Sequence, residues 1–279
     1  MADWNPVIDK RHALRLTSGL RLCAAALALA VAAGCASNAR GTVPAGTSEP
    51  DKFLFDKGTD ALKKKKWIAA REFFKQVTET YTASAYRPDA KLGIGDTYLG
   101  EGSAEALVLA INEFTEFLSF YPTNRRADYA QFKLGMAHFR QMRLPQRDQT
   151  ETRAALREFD TFLARYPNSS LMTEANARQR ETRDRLSEAD YQVGYFYYRQ
   201  RWYPGAIDRF KQVLKDDPGY TGRDSVYFYL AESLVRVKKE AEALPYLEKL
   251  VQEFEKSEHL LVAQKLITDL KAQVIKPAT

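Results

Sequence analysis

The chain has 279 residues, 45% hydrophobic and 28% charged, with 42 Lys and Arg against 36 Asp and Glu for a formal net charge of +6. Charge of both signs beside 12% aromatic residues is too apolar and too balanced for a disordered chain. With 14 Gly, 11 Pro and a single apolar run approaching membrane length, collagen-like, mucin-like and multi-span membrane architectures are excluded, and one or two globular units or one repeat array remain.

The apolar run is Leu22 to Ala33, preceded by Lys10, Arg11, Arg15 and Arg21. It is too short to span a bilayer and has the charge and length of a signal-peptide core. It ends in Val31-Ala32-Ala33-Gly34-Cys35, which resembles a bacterial lipobox, with Ala32 where Leu is usual. The alternative is an ordinary secretory signal before an incidental Cys. On the lipobox reading, residues 1–34 are removed and Cys35 carries the covalent lipid. Cys23 is lost with the signal, so no internal disulfide can form. Several acyl chains anchor far more firmly than one. Ala36 stands where lipoproteins kept at the inner membrane usually have Asp, so the resemblance implies export to the outer membrane. Residues 35–50 read as the lipidated Cys and a flexible tether. The processed chain loses four basic and two acidic residues and falls to +4, which is no nucleic-acid footprint.

From there a helical repeat runs to the C-terminus. A small residue is followed four positions on by an aromatic and three further by an apolar residue, often with Tyr-Pro beyond. Ala110/Phe114/Phe117/Tyr121-Pro122 and Ala155/Phe159/Phe162/Tyr166-Pro167 are full copies, and Ala206/Phe210/Val213/Asp217-Pro218 is a third. Ala70/Phe74/Val77 and Ala243/Leu247/Leu250 are weaker, with Thr82 and Glu255 in the Pro position. Twelve residues before Ala70, Ala206 and Ala243 stand Gly58, Gly194 and Ala231. In the middle repeats Gly95 and Gly135 lie further upstream, which predicts long turns around 100–103 and 144–150. Spacings of three, four and seven share one helical stripe, and small residues let paired helices approach to about 8–10 Å. The expectation is an all-α tetratricopeptide-repeat α-solenoid of about five helix pairs, in two halves, 51–170 for repeats one to three and 171–279 for the rest. Thr173 to Asp190 reads as a long charged helix joining them. Pro204 suits a helix start. Pro245 lies inside a predicted helix and implies a kink or a late start.

Little in the chain suggests catalysis. His138 and His259 have no partners at metal spacing, so no metal site is expected. The Gly93/Gly95 pair follows no strand, and no nucleophile arrangement survives loss of the free thiol. The chain is therefore read as a non-enzyme without a cofactor. Lys63 to Lys66 followed by Trp67 is either a solvated helix end or a contact for anionic lipid. Stacked helix pairs build a concave surface lined by first helices. Phe55 and Leu62 in the first repeat, with Tyr129, Phe132, Met136 and Phe139 in the third, are either repeat core or part of a groove for an extended apolar peptide.

The string Leu144 to Phe210 carries a more specific signal. Arg147-Asp148-Gln149-Thr150, then Tyr166-Pro167-Asn168-Ser169-Ser170, Leu186 and Tyr197-Tyr198, resembles the outer-membrane assembly lipoprotein BamD (YfiO) family in order and spacing. The resemblance implies a scaffold subunit of the outer-membrane β-barrel assembly machine, lipid-anchored at the periplasmic face of the outer membrane. It implies that the C-terminal half binds the POTRA region of an Omp85-type, BamA-like barrel. The N-terminal half would receive C-terminal signals of unfolded outer-membrane proteins, and other assembly lipoproteins are further candidate partners. Arg209 is the candidate POTRA contact, against the alternative of an ordinary exposed helical Arg. The competing function is a lipoprotein adaptor for cell-wall enzymes or Tol-Pal-type coordination.

Overall fold

The computed structural model describes residues 43–275; the expected signal peptide, Cys35 and the first part of the tether lie outside the described residues. Those residues form eleven α-helices and no strand: α1 (Pro50–Lys63), α2 (Trp67–Thr80), α3 (Arg87–Glu101), α4 (Ala104–Phe120), α5 (Ala127–Phe139), α6 (Thr150–Arg165), α7 (Met172–Arg199), α8 (Tyr203–Asp216), α9 (Arg223–Arg236), α10 (Glu240–Glu253) and α11 (Leu260–Ile275). Each helix packs on the next as a solenoid of antiparallel pairs, and first helices also touch, α1 on α3, α3 on α5 and α7 on α9.

The repeat markers form the seam of each pair. Ala70, Ala110, Ala155, Ala206 and Ala243 are fully buried, as are Phe74, Phe114, Phe159, Phe210 and Leu247 four residues later. In the first four pairs the Phe ring packs directly against a glycine of the preceding helix. A Cβ on Gly58, Gly95, Gly135 or Gly194 would stand only 2.7–2.8 Å from the ring of Phe74, Phe114, Phe159 or Phe210. The fifth pair replaces the Gly–Phe combination with Ala231 and Leu247, both buried.

Helix ends follow the same register. The residue eleven after each marker alanine, Tyr81, Tyr121, Tyr166, Asp217 or Phe254, leaves helical geometry with φ between −110° and −138° and ψ between 52° and 81°. Tyr81 and Phe254 do so without a following Pro, so proline is not what stops these helices. Three residues further on, Ser84, Ser169 and Ser257 donate hydrogen bonds of 2.6–2.7 Å to Asp51, Asp128 and Asp224 in the first turns of α1, α5 and α9. Each closing turn is thus tied back to the helix that opened its own repeat.

The structure corrects two expectations. The second repeat has no long turn: α3 runs through Gly100, whose missing side chain admits the Trp67 ring, and Gly102 at φ +72° ends it. Pro245 does not delay α10, which already starts at Glu240, and its ring lies on the exposed side of the helix. The five expected pairs are present, and a further helix, α11, covers α10 by burying Ala263 and Leu270. The long joining helix is present as α7, 28 residues or about 42 Å.

Candidate functional site

α7 changes partners along its length. Its start carries Ala175 into a core with Phe159 and Phe162, and its end carries Tyr191 into a core with Phe210 and Leu230. Because it runs on past α6, the face of its last turns has no repeat stacked on it. Val193 and Phe196, one helical turn apart, are 38% and 57% exposed there.

The loop between α5 and α6 stands opposite this face. Gln149 is buried, and its amide donates to the carbonyls of Leu144 at 2.8 Å and Arg147 at 2.9 Å while its oxygen accepts the Thr152 hydroxyl at 2.8 Å. Asp148 accepts from the Thr150 hydroxyl at 2.9 Å and its backbone N–H at 3.3 Å. With its carbonyls satisfied from inside, the loop is a fixed wall with Pro145, Gln146 and Arg147 outward. Loop and helix enclose an open groove of about 560 Å³, with Pro145, Val193 and Phe196 in its apolar part and Arg147, Asp148, Arg153 and Asp190 as its charges. Burial and the neighbouring Asp216 push the Asp190 carboxyl up, against the pull of Arg153 and Arg209.

Arg209 is close enough for its charge to act on the Asp190 carboxyl, without itself lining the groove. It lies on the exposed side of α8, its Cβ 3.3 Å from where a side chain on Gly194 would begin, and forms no ion pair among the described residues. Such an arrangement offers an incoming protein an aromatic–aliphatic floor and an unpaired guanidinium, the composition of an interface centre. The sequence reading missed Val193 and Phe196. Their i, i+3 spacing on α7 was visible, but not the absence of a covering repeat.

The predicted peptide-groove residues separate. Phe132 is 3% exposed, between the rings of Phe159 and Phe162 with centroids 6.0 and 5.9 Å away, so it is repeat core and offers no surface to a peptide. Phe139 is covered by the Phe159 edge and by the Arg178 guanidinium at 5.3 Å. Phe55 stacks on Tyr86 at 5.2 Å and remains half-buried, as do Leu62 and Met136. The Tyr129 hydroxyl donates to both carboxylate oxygens of Asp96 at 2.9 Å, beneath Arg126 and Lys133. Burial pushes the Asp96 carboxyl up, and burial with that carboxylate drives the Tyr129 phenol far above its ordinary range. Among the described residues no group of three His, Cys, Asp or Glu could hold a metal. His138 bonds Glu151 at 2.7 Å, and His259 stacks on Phe228 at 4.3 Å.

A family model described as YfiO, outer membrane lipoprotein, matches residues 47–235, and a tetratricopeptide-repeat model matches residues 225–257. The outer membrane protein assembly factor BamD of Caulobacter vibrioides is 29% identical over 221 residues, covering 79% of this chain and 71% of that relative. Its counterpart of the same name in Vibrio cholerae is 27% identical over 202 residues, covering 69% and 81%. Among solved structures, MamA protein is 18% identical with a TM-score of 0.35, covering 84% of this chain and 100% of that one. The TPR2AB-domain:pHSP90 complex of yeast Sti1 is 12% identical with a TM-score of 0.48, covering 82% and 85%.

Proposed function

This chain belongs to the YfiO family of outer membrane lipoproteins, and on that premise we propose that it is a non-catalytic scaffold of the outer-membrane β-barrel assembly machine. The POTRA region of an Omp85-type barrel docks on the groove between the Leu144–Gln149 loop and α7, where Arg209 meets a carboxylate of the partner. One observation carries this reading: Phe196 is 57% exposed beside a loop wall that a buried glutamine holds in place. Phe196 is not isolated there, because Val193 and Pro145 line the same groove. In the N-terminal half, the half-buried Phe55, Leu62, Tyr129 and Met136 receive the C-terminal signals of unfolded outer-membrane proteins. Lipid on Cys35 holds the chain to the periplasmic face of the outer membrane.

The test is affinity purification of the tagged chain from detergent-solubilised outer membranes. The wild type is expected to retain an Omp85-type barrel in stoichiometric amount. Combining Arg209→Glu with Phe196→Ser should remove the barrel and leave the thermal unfolding midpoint in place, since both side chains are exposed. Retention of the barrel by that variant overturns the docking site. Recovery of cell-wall enzymes or Tol-Pal components in place of a barrel overturns the assembly role.

A further inference from the structure

We propose that the turn joining α1 to α2 is a membrane-contact tip that rests on the anionic phospholipid headgroups of the bilayer to which the chain is attached. Lys63, Lys64, Lys65 and Lys66 are all exposed, and none forms an ion pair among the described residues. The nearest carboxylates along the chain are Asp60, one turn back on α1, and Glu72, in the second turn of α2, and neither pairs with these lysines. Ile68 follows in the first turn of α2 and is 72% exposed. Four unpaired cations beside one protruding aliphatic side chain match a surface that is anionic outside and apolar beneath.

The tip is rigid. Lys65 sits at φ +55°, and the turn closes through hydrogen bonds of 2.9 Å from the N–H of Lys65 to the Leu62 carbonyl and from that of Lys66 to the Ala61 carbonyl. The Trp67 ring fills the space over Gly100, and Arg71 donates to Thr97 at 3.0 Å, so the turn is fixed to α3. The turn thus presents the four lysines together on a fixed backbone, and each cation at an anionic surface raises the partition by about fivefold.

Reach also favours a lipid surface. α1 is about 21 Å long, and residues 36–49 extend to at most about 46–50 Å, so the tether allows the far end of α1 to lie on the bilayer. The proposal rests on membership of the lipoprotein family, not on the POTRA reading.

The experiment uses the processed, acylated chain carrying Ile68→Cys, labelled with a fluorophore and reconstituted into phosphatidylethanolamine vesicles with about a quarter phosphatidylglycerol. Nitroxide-bearing lipid is the quencher. Thr123→Cys, in the turn after α4 at the opposite edge, is the control. Quenching is expected at 68 and not at 123. It should fall by about half or more when Lys63 to Lys66 are all changed to Gln, or when phosphatidylcholine alone is used. Equal quenching at both sites, or quenching at 68 that ignores the lysine changes, overturns the proposal. A second label per chain would instead mark a free Cys35, which separates failure of the anchor from failure of the tip.

Discussion

Arg180, two turns into α7, donates hydrogen bonds to both carboxylate oxygens of Asp217, in the turn that closes the fourth repeat. In the other repeats an aromatic residue occupies that position, and the residue three further on is Ser or Asn. In the fourth the two characters are exchanged: Asp217 comes first, and Tyr220 three residues later donates to Glu188. The length of α7 explains the exchange. The closing turn meets the middle of a 28-residue helix instead of a helix start, so it faces the side chains of Arg180, Asp184, Ser187 and Glu188.

Asp217 should therefore make folding of the C-terminal half sensitive to acid. Its side chain is 7% exposed. Burial opposes its ionisation, but the Arg180 and Ser187 hydrogen bonds and the Arg180 charge prevail and hold it below the usual carboxylate range. The stability it contributes is complete above the unfolded-state pKa of about 4, and is lost as pH falls through that value toward the depressed native one. Asp217→Asn is expected to cost about 1–3 kcal/mol at neutral pH and to flatten the acid limb. Denaturant unfolding at several pH values, wild type against variant, measures both; parallel curves would show that the pair contributes nothing linked to protons.

The glycine–phenylalanine contact predicts a reciprocal pair of substitutions. A methyl group on Gly194 would stand 2.7 Å from the Phe210 ring, so Gly194→Ala should cost about 1–3 kcal/mol by overpacking. The fifth repeat shows the relief, Ala231 with Leu247. Phe210→Leu alone leaves a gap. In the Gly194→Ala background it should recover part of the loss, giving a favourable coupling of about 1 kcal/mol in a double-mutant cycle. Strict additivity would mean that the two helices separate to accommodate the methyl.

How much was legible in the sequence depends on whether a feature repeats. The buried seam recurs at fixed spacing, so Ala70 to Leu250 could be read in register, and Gly58, Gly95, Gly135, Gly194 and Ala231 of the first helices with it. α11 was missed because it lacks the marker and serves only to cover α10. Phe132 could not be separated from Tyr129 by spacing, since both lie on α5; α6 covers the first and leaves the second toward Asp96. The groove at Phe196 was invisible for a different reason. Its exposure arises from how far α7 outruns α6, a property of two elements and not of any residue's pattern.

Phe132 supplies a direct check on that separation. Phe132→Ala should cost about 3–5 kcal/mol, because the ring is packed against Phe159 and Phe162. Met136→Ala, at a half-buried position on the same helix, should cost less. Urea midpoints of the two variants would rank them; the opposite order would place Phe132 back at the surface.

The tightest turns predict a gain in stability. Lys65, Arg201 and Lys238 follow α1, α7 and α9 at φ +55°, +59° and +59°. In each turn the next residue's N–H bonds back five residues, Lys66 to Ala61, Trp202 to Tyr197 and Lys239 to Leu234. That closure demands a left-handed residue, where a Cβ costs about 1–2 kcal/mol and glycine has no such steric cost. Lys238→Gly should therefore raise stability by about 0.5–1 kcal/mol, the strain relieved being partly offset by the greater freedom of glycine in the unfolded chain. The Lys238 side chain is exposed and joins no ion pair among the described residues, so no lost contact obscures the result. A higher urea midpoint with an unchanged slope is the expected outcome, and a lower one would mean that the lysine stem packs on the turn strongly enough to outweigh its backbone strain.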